Sequence, residues 1–351
     1  MQEQIQLNGK IYTANNVDEF IQQPLHVDTW QYAIYSFLKQ WFDNSKTITV
    51  QTSGSTGQPK AIQLSKTAMR HSAQLTNNYF ELQPDSTALL CMPASYIAGK
   101  MMLVRALVGG YNLLAIKPCA NPFLHLKQTI HFTAITAYQF SHAINSINSN
   151  TIKNILIGGS SINYQTQELI NTLAVNCYES YGMTETCSHI AIRPLNGPKK
   201  SAYFHTLAGI KIRNNEQGCL CIEAPHLLQN EIETNDLVEI VNPTSFKWLG
   251  RHDNTINSGG IKIQPEQVEL KLASILKQPY FVSSTPDPKL GQKLILVIES
   301  QPLTAQNETE LKTAFQKLLT KYEQPKEIYY LSRFCYSITN KVLKKETLQQ
   351  I

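Results

Sequence analysis

The chain has 351 residues, which at roughly 150 residues per domain suggests about two domains and excludes a disulfide mini-protein. Hydrophobic residues make up 42% and charged residues 16%, an ordinary globular mixture with few charges. The net charge of +5 is spread along the chain without a Lys/Arg run of five, so it favours anionic small ligands and gives no reason to expect nucleic acid.

In chain order, the opening MQEQIQLNGK has neither a basic start nor a following apolar region, so a cytoplasmic location is expected. Lys46 to Gln51, with Thr47, Ile48, Thr49 and Val50, reads as a strand running into a Ser/Thr/Gly loop. AIQLS follows as a short strand, and Ser65 is placed to cap a helix from Lys66 to about Phe80, with Met69, Ala73, Thr76 and Phe80 on one face. The longest apolar stretch, Ala98 to Ile116, is broken by Lys100, Arg105 and Asn112, so no run reaches the roughly 18 residues of a membrane helix and no membrane insertion is expected.

TALLCMP, NLLAI, FTAITA, KNILIGG and AVNCYES are apolar runs separated by helical segments such as Asn163 to Leu173. Alternating strands and helices predict an α/β fold with mostly parallel sheets. From about Gly209 the strands GIKIR, GCLCIEA, LVEIV and FKWLG come close together, predicting a small antiparallel β region attached to that core. After Gly250 come a loop at RHDNTINSGG, a helix opened by Pro265 and Glu266, a strand, a turn at PDPKLGQ, and then strand, helix and strand. The expected division is a large N-terminal domain, 1–250, and a small C-terminal α+β domain, 251–351. Seven cysteines without a CxxC pair are expected to be reduced and mostly buried.

Four segments carry candidate chemistry. Thr52, Ser53, Gly54, Ser55, Thr56, Gly57 and Lys60 offer hydroxyls, glycine-exposed backbone N–H groups and a cation, which together suit a polyphosphate. The order is not that of a Walker A loop, since Lys60 follows Pro59 and precedes Ala61, and a flexible Ser/Gly turn would read the same way. Tyr181 to Glu185, YGMTE, directly follows the strand predicted over Ala174 to Glu179. That is where open α/β sheets bind ligands, and Glu185 offers hard oxygens for Mg²⁺; a strand exit and helix cap is the plainer alternative. Gly250, Arg251, His252 and Asp253, followed by Gly259 and Gly260, suit a rotating junction as well as an ordinary linker. Lys341 lies in TNKVL near the end, where a lone lysine is usually a solvated surface group.

Taken together and in order, the Ser/Thr/Gly loop ending in Lys60, GGSS at 158–161, YGMTE, Asp236, GRHD and Lys341 resemble the adenylate-forming superfamily of acyl-CoA synthetases and adenylation domains. The resemblance spans about Thr52 to Leu348. Within it, YIAGKMMLVRAL and YGMTETCSHIAI are similar to the o-succinylbenzoate–CoA ligases of menaquinone biosynthesis. What the resemblance implies is an adenylate-forming fold with ATP, Mg²⁺ and CoA as cofactor and co-substrates, a small-molecule acid as substrate, and a homo-oligomer left open. Another aryl or acyl acid, and a non-catalytic nucleotide-binding protein of the same fold, remain alternatives.

Residue by residue, the resemblance assigns Thr52, Ser53, Ser55, Thr56 and Lys60, in the loop with Gly54 and Gly57, to the β- and γ-phosphates. Thr184 is assigned to phosphate and Glu185 to Mg²⁺. Gly158, Gly159, Ser160 and Ser161 match the adenine-contacting turn, with Tyr181 stacking near the base; Asp236 and Arg251 match the ribose-binding pair. Lys341 matches the catalytic lysine that bridges the acid and the α-phosphate. Asp253 matches the hinge about which the small domain rotates, bringing Gly259 and Gly260 toward a CoA channel. Arg105, in an otherwise apolar run, is costly to bury without an anion; a second substrate carboxylate or an internal acid would each serve, and snorkelling to solvent is a further reading. Tyr96 and His189 are further acyl-pocket candidates, with Arg193 weaker. Departures from the family pattern are Asn235 and Asn340, each in place of Gly, Lys344 in place of Arg, and Tyr96, where related enzymes often carry His.

Overall fold

The computed structural model describes residues 3–21, 29–51, 60–159, 162, 164–336 and 342–351. The chain opens on a hairpin, β1 (Gln4–Leu7) and β2 (Lys10–Thr13), turned at Asn8 and Gly9 with φ of 50° and 82°, the left-handed pair that an Asn-Gly turn supplies. Helix α1 (Trp30–Phe42) is capped by the Thr29 side chain and buries Ile34, Phe37, Leu38 and Trp41 at helical spacing. Strands β3 (Thr47–Gln51) and β4 (Ala61–Ser65) pair only with each other, in register from Thr47↔Ser65 to Gln51↔Ala61. Helix α2 (Lys66–Tyr79) begins where Ser65 accepts the Ala68 N–H and ends at Phe80, as its sequence predicts.

The parallel core follows: β5 (Thr87–Leu90), α3 (Ile97–Gly109), β6 (Asn112–Ala115), β7 (Ile130–Thr136), α4 (Ala137–Ala143), β8 (Ile152–Gly158), α5 (Tyr164–Asn171) and β9 (Asn176–Gly182). The chain then turns antiparallel through β10 (His189–Pro194), β11 (Phe204–Thr206), β12 (Lys211–Asn214), β13 (Cys219–Glu223), β14 (Ile232–Asn242) and β15 (Ser245–Arg251). All these strands except β3 and β4 join one sheet in the order β12-β13-β14-β15-β11-β10-β9-β8-β7-β5-β6-β1-β2. The pairings from β1 through β6, β5, β7 and β8 to β9 are parallel. The expected antiparallel region is thus continuous with the parallel core, hydrogen-bonded to it through β10 and β11.

The apolar stretch from Ala98 resolves into α3 and β6, separated by Gly110 at φ +68°. Residues Met101 to Leu107 of α3 are all buried, and a Cβ on Gly99 would lie 2.3 Å from the Pro93 carbonyl oxygen. Among the described residues no helix is long and apolar enough to cross a membrane. Lys100 donates to the Ala94 carbonyl at 2.7 Å, and burial pulls its ammonium down to about 8 from an ordinary 10.5. Between those values the unfolded chain holds a proton that the folded chain does not, so stability rises with pH there. The melting temperature of the wild type relative to Lys100→Met is expected to climb from pH 8 to pH 10; a difference constant with pH would count against it.

After β15 a second sheet forms from β16 (Ile256–Ser258), β17 (Ile261–Ile263), β18 (Tyr280–Asp287), β19 (Gly291–Glu299) and β20 (Glu327–Leu331), with α6 (Pro265–Leu272), α7 (Ala305–Leu318) and α8 (Lys344–Leu348). The loop expected at RHDNTINSGG corrects to a strand hairpin: β16 and β17 turn at Gly259 and Gly260, whose φ of 61° and 83° glycine adopts without strain. Alternation along β19 covers both sheet faces: Leu294, Leu296 and Ile298 pack with Val268, Leu272 and Phe315, while Ile295 and Val297 pack with Phe281 and Phe334. The seven cysteines are free thiols and five are buried.

Candidate nucleotide and acid site

The motif residues gather where parallel strands end. Gly158 closes β8, and a Cβ there would meet Ser180 Oγ at 2.6 Å; Gly159 follows at φ +85°. Glu179, buried in β9, accepts the Ile162 N–H and is paired with Arg193 of β10, whose guanidinium lies 5.1 Å from the Phe204 ring. Burial pushes the Glu179 carboxyl up against the pull of Arg193. Ile162, just beyond the GGSS segment, is therefore tied to β9 through a residue that no motif marks; its signal is an acid inside an apolar strand. Arg193 is directed to Glu179 instead of an acyl pocket.

Tyr181 and Gly182 lie inside β9, so the strand runs three residues past its expected end at Glu179. The Tyr181 hydroxyl donates to Asp236 Oδ2 at 2.6 Å, and Trp248 Nε1 donates to Asp236 Oδ1 at 3.1 Å. Burial and then the Asp236 charge push the Tyr181 hydroxyl far up. Its ring meets Phe246 edge-on at 5.1 Å. Asp236 and Arg251 are directly opposed on β14 and β15. Arg251 donates Nε and Nη2 to the two Asp253 oxygens at 3.1 and 3.0 Å, raising its own pKa and lowering that of Asp253. Tyr181, Asp236, Arg251 and Asp253 thus form one cluster. Gly250 sits at φ +147°, a conformation that side chains rarely adopt, with Glu266 Oε2 2.5 Å from where a Cβ would be, so a larger residue there is strained and has to push the Glu266 side chain aside.

Between β9 and β10, Thr186 organises the turn by accepting the Met183 N–H at 3.1 Å and donating to the Ser188 carbonyl at 2.7 Å. This leaves Thr184 half-buried and Glu185 exposed. Beyond the turn, Arg105 is only 2% exposed. Its Nη2 donates to Ser188 Oγ at 2.6 Å and lies 3.5 Å from His189 Nδ1, Nη1 reaches Met102 Sδ at 3.4 Å, and Nε has no partner. None of the ion pairs among the described residues includes Arg105. Burial lowers its pKa to about 10. His189 Nε2 lies 3.3 Å from Thr76 Oγ1, whose own proton goes to the Ser72 carbonyl. Burial and Arg105 hold the imidazole well below its ordinary range, so Nδ1 is free to accept from Arg105.

Tyr96 stands apart: it is the residue preceding α3, 42% exposed. Lys60 is exposed at the start of β4. Thr52, Ser53, Gly54, Ser55, Thr56, Gly57, Ser160 and Lys341 lie outside the described residues. Cys221, Glu231 and Glu233 place ligand atoms within 4.8 Å of one another, but Glu231 is already held by Arg213 and Glu233 by Asn215. A cleft of about 520 Å³ at the opposite ends of β8 and β9 is lined by uncharged residues such as Asn148 and Thr172.

Residues 17–229 match the AMP-binding enzyme family. A solved structure described as an acyl-CoA synthetase (AMP-forming)/AMP-acid ligase II-like protein from Dyadobacter fermentans is 36% identical, covering 93% of this chain and 96% of that one with a TM-score of 0.61. The chain belongs to the AMP-binding enzyme family and has the adenylate-forming fold. Within that family it is an ATP-dependent acid–CoA ligase. The 2-succinylbenzoate–CoA ligase of Lactococcus lactis is 22% identical over 325 residues, 87% of this chain and 71% of that protein. The O-succinylbenzoate coenzyme A synthetase of Bacillus subtilis, in complex with ATP and magnesium ion, has a TM-score of 0.70 at 22% identity, covering 86% of this chain and 69% of that one.

Proposed function

We propose that this ligase activates o-succinylbenzoate: the acid's carboxylate attacks the α-phosphate of ATP, pyrophosphate leaves, and the CoA thiol displaces AMP from the acyl-adenylate. The observation that carries the reading is the buried Arg105 guanidinium, its Nε unpaired and no carboxylate beside it among the described residues. A buried charge without a counter-charge is costly, and an acid with a carboxylate to spare supplies one. o-Succinylbenzoate has two carboxylates; benzoates and fatty acids have only the one that reacts. The name borne by the Lactococcus relative supports the same acid.

In this reading the loop from Thr52 to Lys60 holds the β- and γ-phosphates, the turn after β8 receives adenine, and Asp236 with Arg251 takes the ribose hydroxyls. Each Asp236 oxygen already accepts one donor and keeps a lone pair for another. Glu185, exposed at the turn after β9, fits Mg²⁺, which is commonly bound through one or two carboxylates plus substrate phosphates and water. That ion would neutralise phosphate charge. Lys341 places an ammonium between two reacting anions, and residues 251–351 rotate as a unit about Asp253 between the two half-reactions.

The experiment is CoA-dependent AMP production from ATP, comparing o-succinylbenzoate with benzoate and a medium-chain fatty acid. Turnover confined to o-succinylbenzoate is expected. Turnover confined to a monocarboxylate would keep the chemistry and remove both the substrate and the role given to Arg105.

A further inference from the structure

The Arg105 guanidinium stands at one end of a hydrogen-bonded chain that runs through Ser188, His189 and Thr76 to the backbone of α2. Arg105 Nη2 donates to Ser188 Oγ at 2.6 Å, and His189 Nδ1 lies 3.2 Å from that oxygen, in place to accept the serine's own proton. At the far end the Thr76 hydroxyl gives its proton to the Ser72 carbonyl at 3.1 Å, which leaves its oxygen to accept from His189 Nε2 at 3.3 Å. Arginine offers only donors, and Nη2 lies 3.5 Å from His189 Nδ1. Both ends of the chain therefore dictate one assignment: a neutral imidazole with its proton on Nε2 and a bare Nδ1. Thr76, His189 and Arg105 are all buried, where each unmade hydrogen bond is costly.

The backbone is fixed at both ends as well. Asn77 Nδ2 of α2 donates to the Arg105 carbonyl at 2.9 Å, and Thr186 Oγ1 donates to the Ser188 carbonyl at 2.7 Å. The chain engages Nη2 of the arginine, while Nη1 meets Met102 Sδ at 3.4 Å, a weak acceptor. Nε, buried and without a partner, is the donor left over. We infer that Ser188, His189 and Thr76 are positioning residues for Arg105: by engaging Nη2 they hold the guanidinium in one orientation and keep Nε for the non-reacting carboxylate of the acid. The inference rests on the acid proposed above and on Arg105 as the group that meets it. An arginine free to sample its rotamers has to be ordered anew by every acid that binds. The carboxylate it meets takes no part in bond-making, so loosening the anchor weakens ground state and transition state alike, raising KM for the acid and sparing kcat.

Steady-state kinetics on the full chain test this, with o-succinylbenzoate and with its analogue lacking the non-reacting carboxylate. Thr76→Val keeps the side-chain shape, removes the acceptor for His189 Nε2 and is expected to raise KM for o-succinylbenzoate about 5-fold. Ser188→Ala and His189→Leu are expected to raise it by about 10- to 10²-fold, with kcat and KM for ATP within about two-fold of wild type. His189→Asn, whose amide oxygen can stand in for Nδ1, should recover most of the His189→Leu loss. On the analogue, and in an Arg105→Met background, the same substitutions should change kcat/KM by no more than about two-fold. Equal penalties on the two acids, or penalties that persist without Arg105, would make the three residues structural and overturn the inference, as would an unchanged KM in every variant. If His189→Leu fails to fold, Thr76→Val decides. Arg105→Met is measured alongside: no loss on o-succinylbenzoate there removes the proposed reading of the site, and the inference with it. A loss in Arg105→Met with unaffected Thr76, Ser188 and His189 variants removes only the positioning role.

Discussion

Arg105→Met is expected to lower kcat/KM for o-succinylbenzoate by about 10²- to 10³-fold, the loss expected for a buried charge pair worth roughly 3–4 kcal/mol, with KM for ATP within about two-fold of wild type. Stability is expected to move the other way. Arg105 is buried beside Ser188, His189 and Met102 with an unpaired Nε, and replacing a buried, uncompensated cation by an apolar side chain of similar length removes its desolvation cost. The melting temperature should therefore hold or rise as activity is lost, and thermal denaturation beside steady-state kinetics on the three acids checks both. A fall of several degrees together with equal losses on every acid would make Arg105 a structural residue.

Lys341→Ala is expected to slow acyl-adenylate formation by about 10³-fold, the scale for removing a donor aimed at developing charge. Thioester formation from supplied acyl-adenylate should stay within a few-fold of wild type. The asymmetry follows from where charge builds. Adenylation brings a carboxylate against a phosphate, two anions that need a cation between them, whereas transfer to CoA begins after that bond is made. Stopped-flow measurement of pyrophosphate release and of thioester formation separates the two, and parallel losses would contradict the assignment.

Elements whose pattern is local could be read from the sequence. Ser65 announces α2 because its hydroxyl is the natural acceptor for the first free N–H groups, and β5 to β9 read as strands because apolar runs of that length suit a sheet buried on both faces. Asn8-Gly9 carried an equally local hairpin signal that the reading of the N-terminal segment did not use. The hairpin of β16 and β17 escaped because three-residue strands in a Gly/Asn/Ser segment have no alternation to detect. At the site, Asp236, Arg251 and Asp253 were named by motif order, and they do meet. Thr186 and Glu179 are not marked by motif order, since each acts by accepting a backbone N–H, of Met183 and of Ile162, and such a contact leaves no signature in side-chain type. For Arg105 the sequence leaves a substrate carboxylate, an internal acid and snorkelling to solvent open together; its burial and the absence of an ion pair to it among the described residues depend on neighbours that come from distant parts of the chain.

The closing of the large sheet by β1 has a consequence for how the chain comes to be folded. β1 lies parallel to β6, with Gln6 opposite Asn112 and the Gly9 N–H on the Asn112 side chain across a separation of 103 residues. During synthesis β1 has only its hairpin partner β2 until β6 has been released, and β6 then presents an open edge until the hairpin returns. Long-range parallel pairing is slow to find, and an open strand edge recruits other chains while it waits. Refolding yield should accordingly fall with protein concentration, and slow translation at low temperature should favour recovery of the native chain.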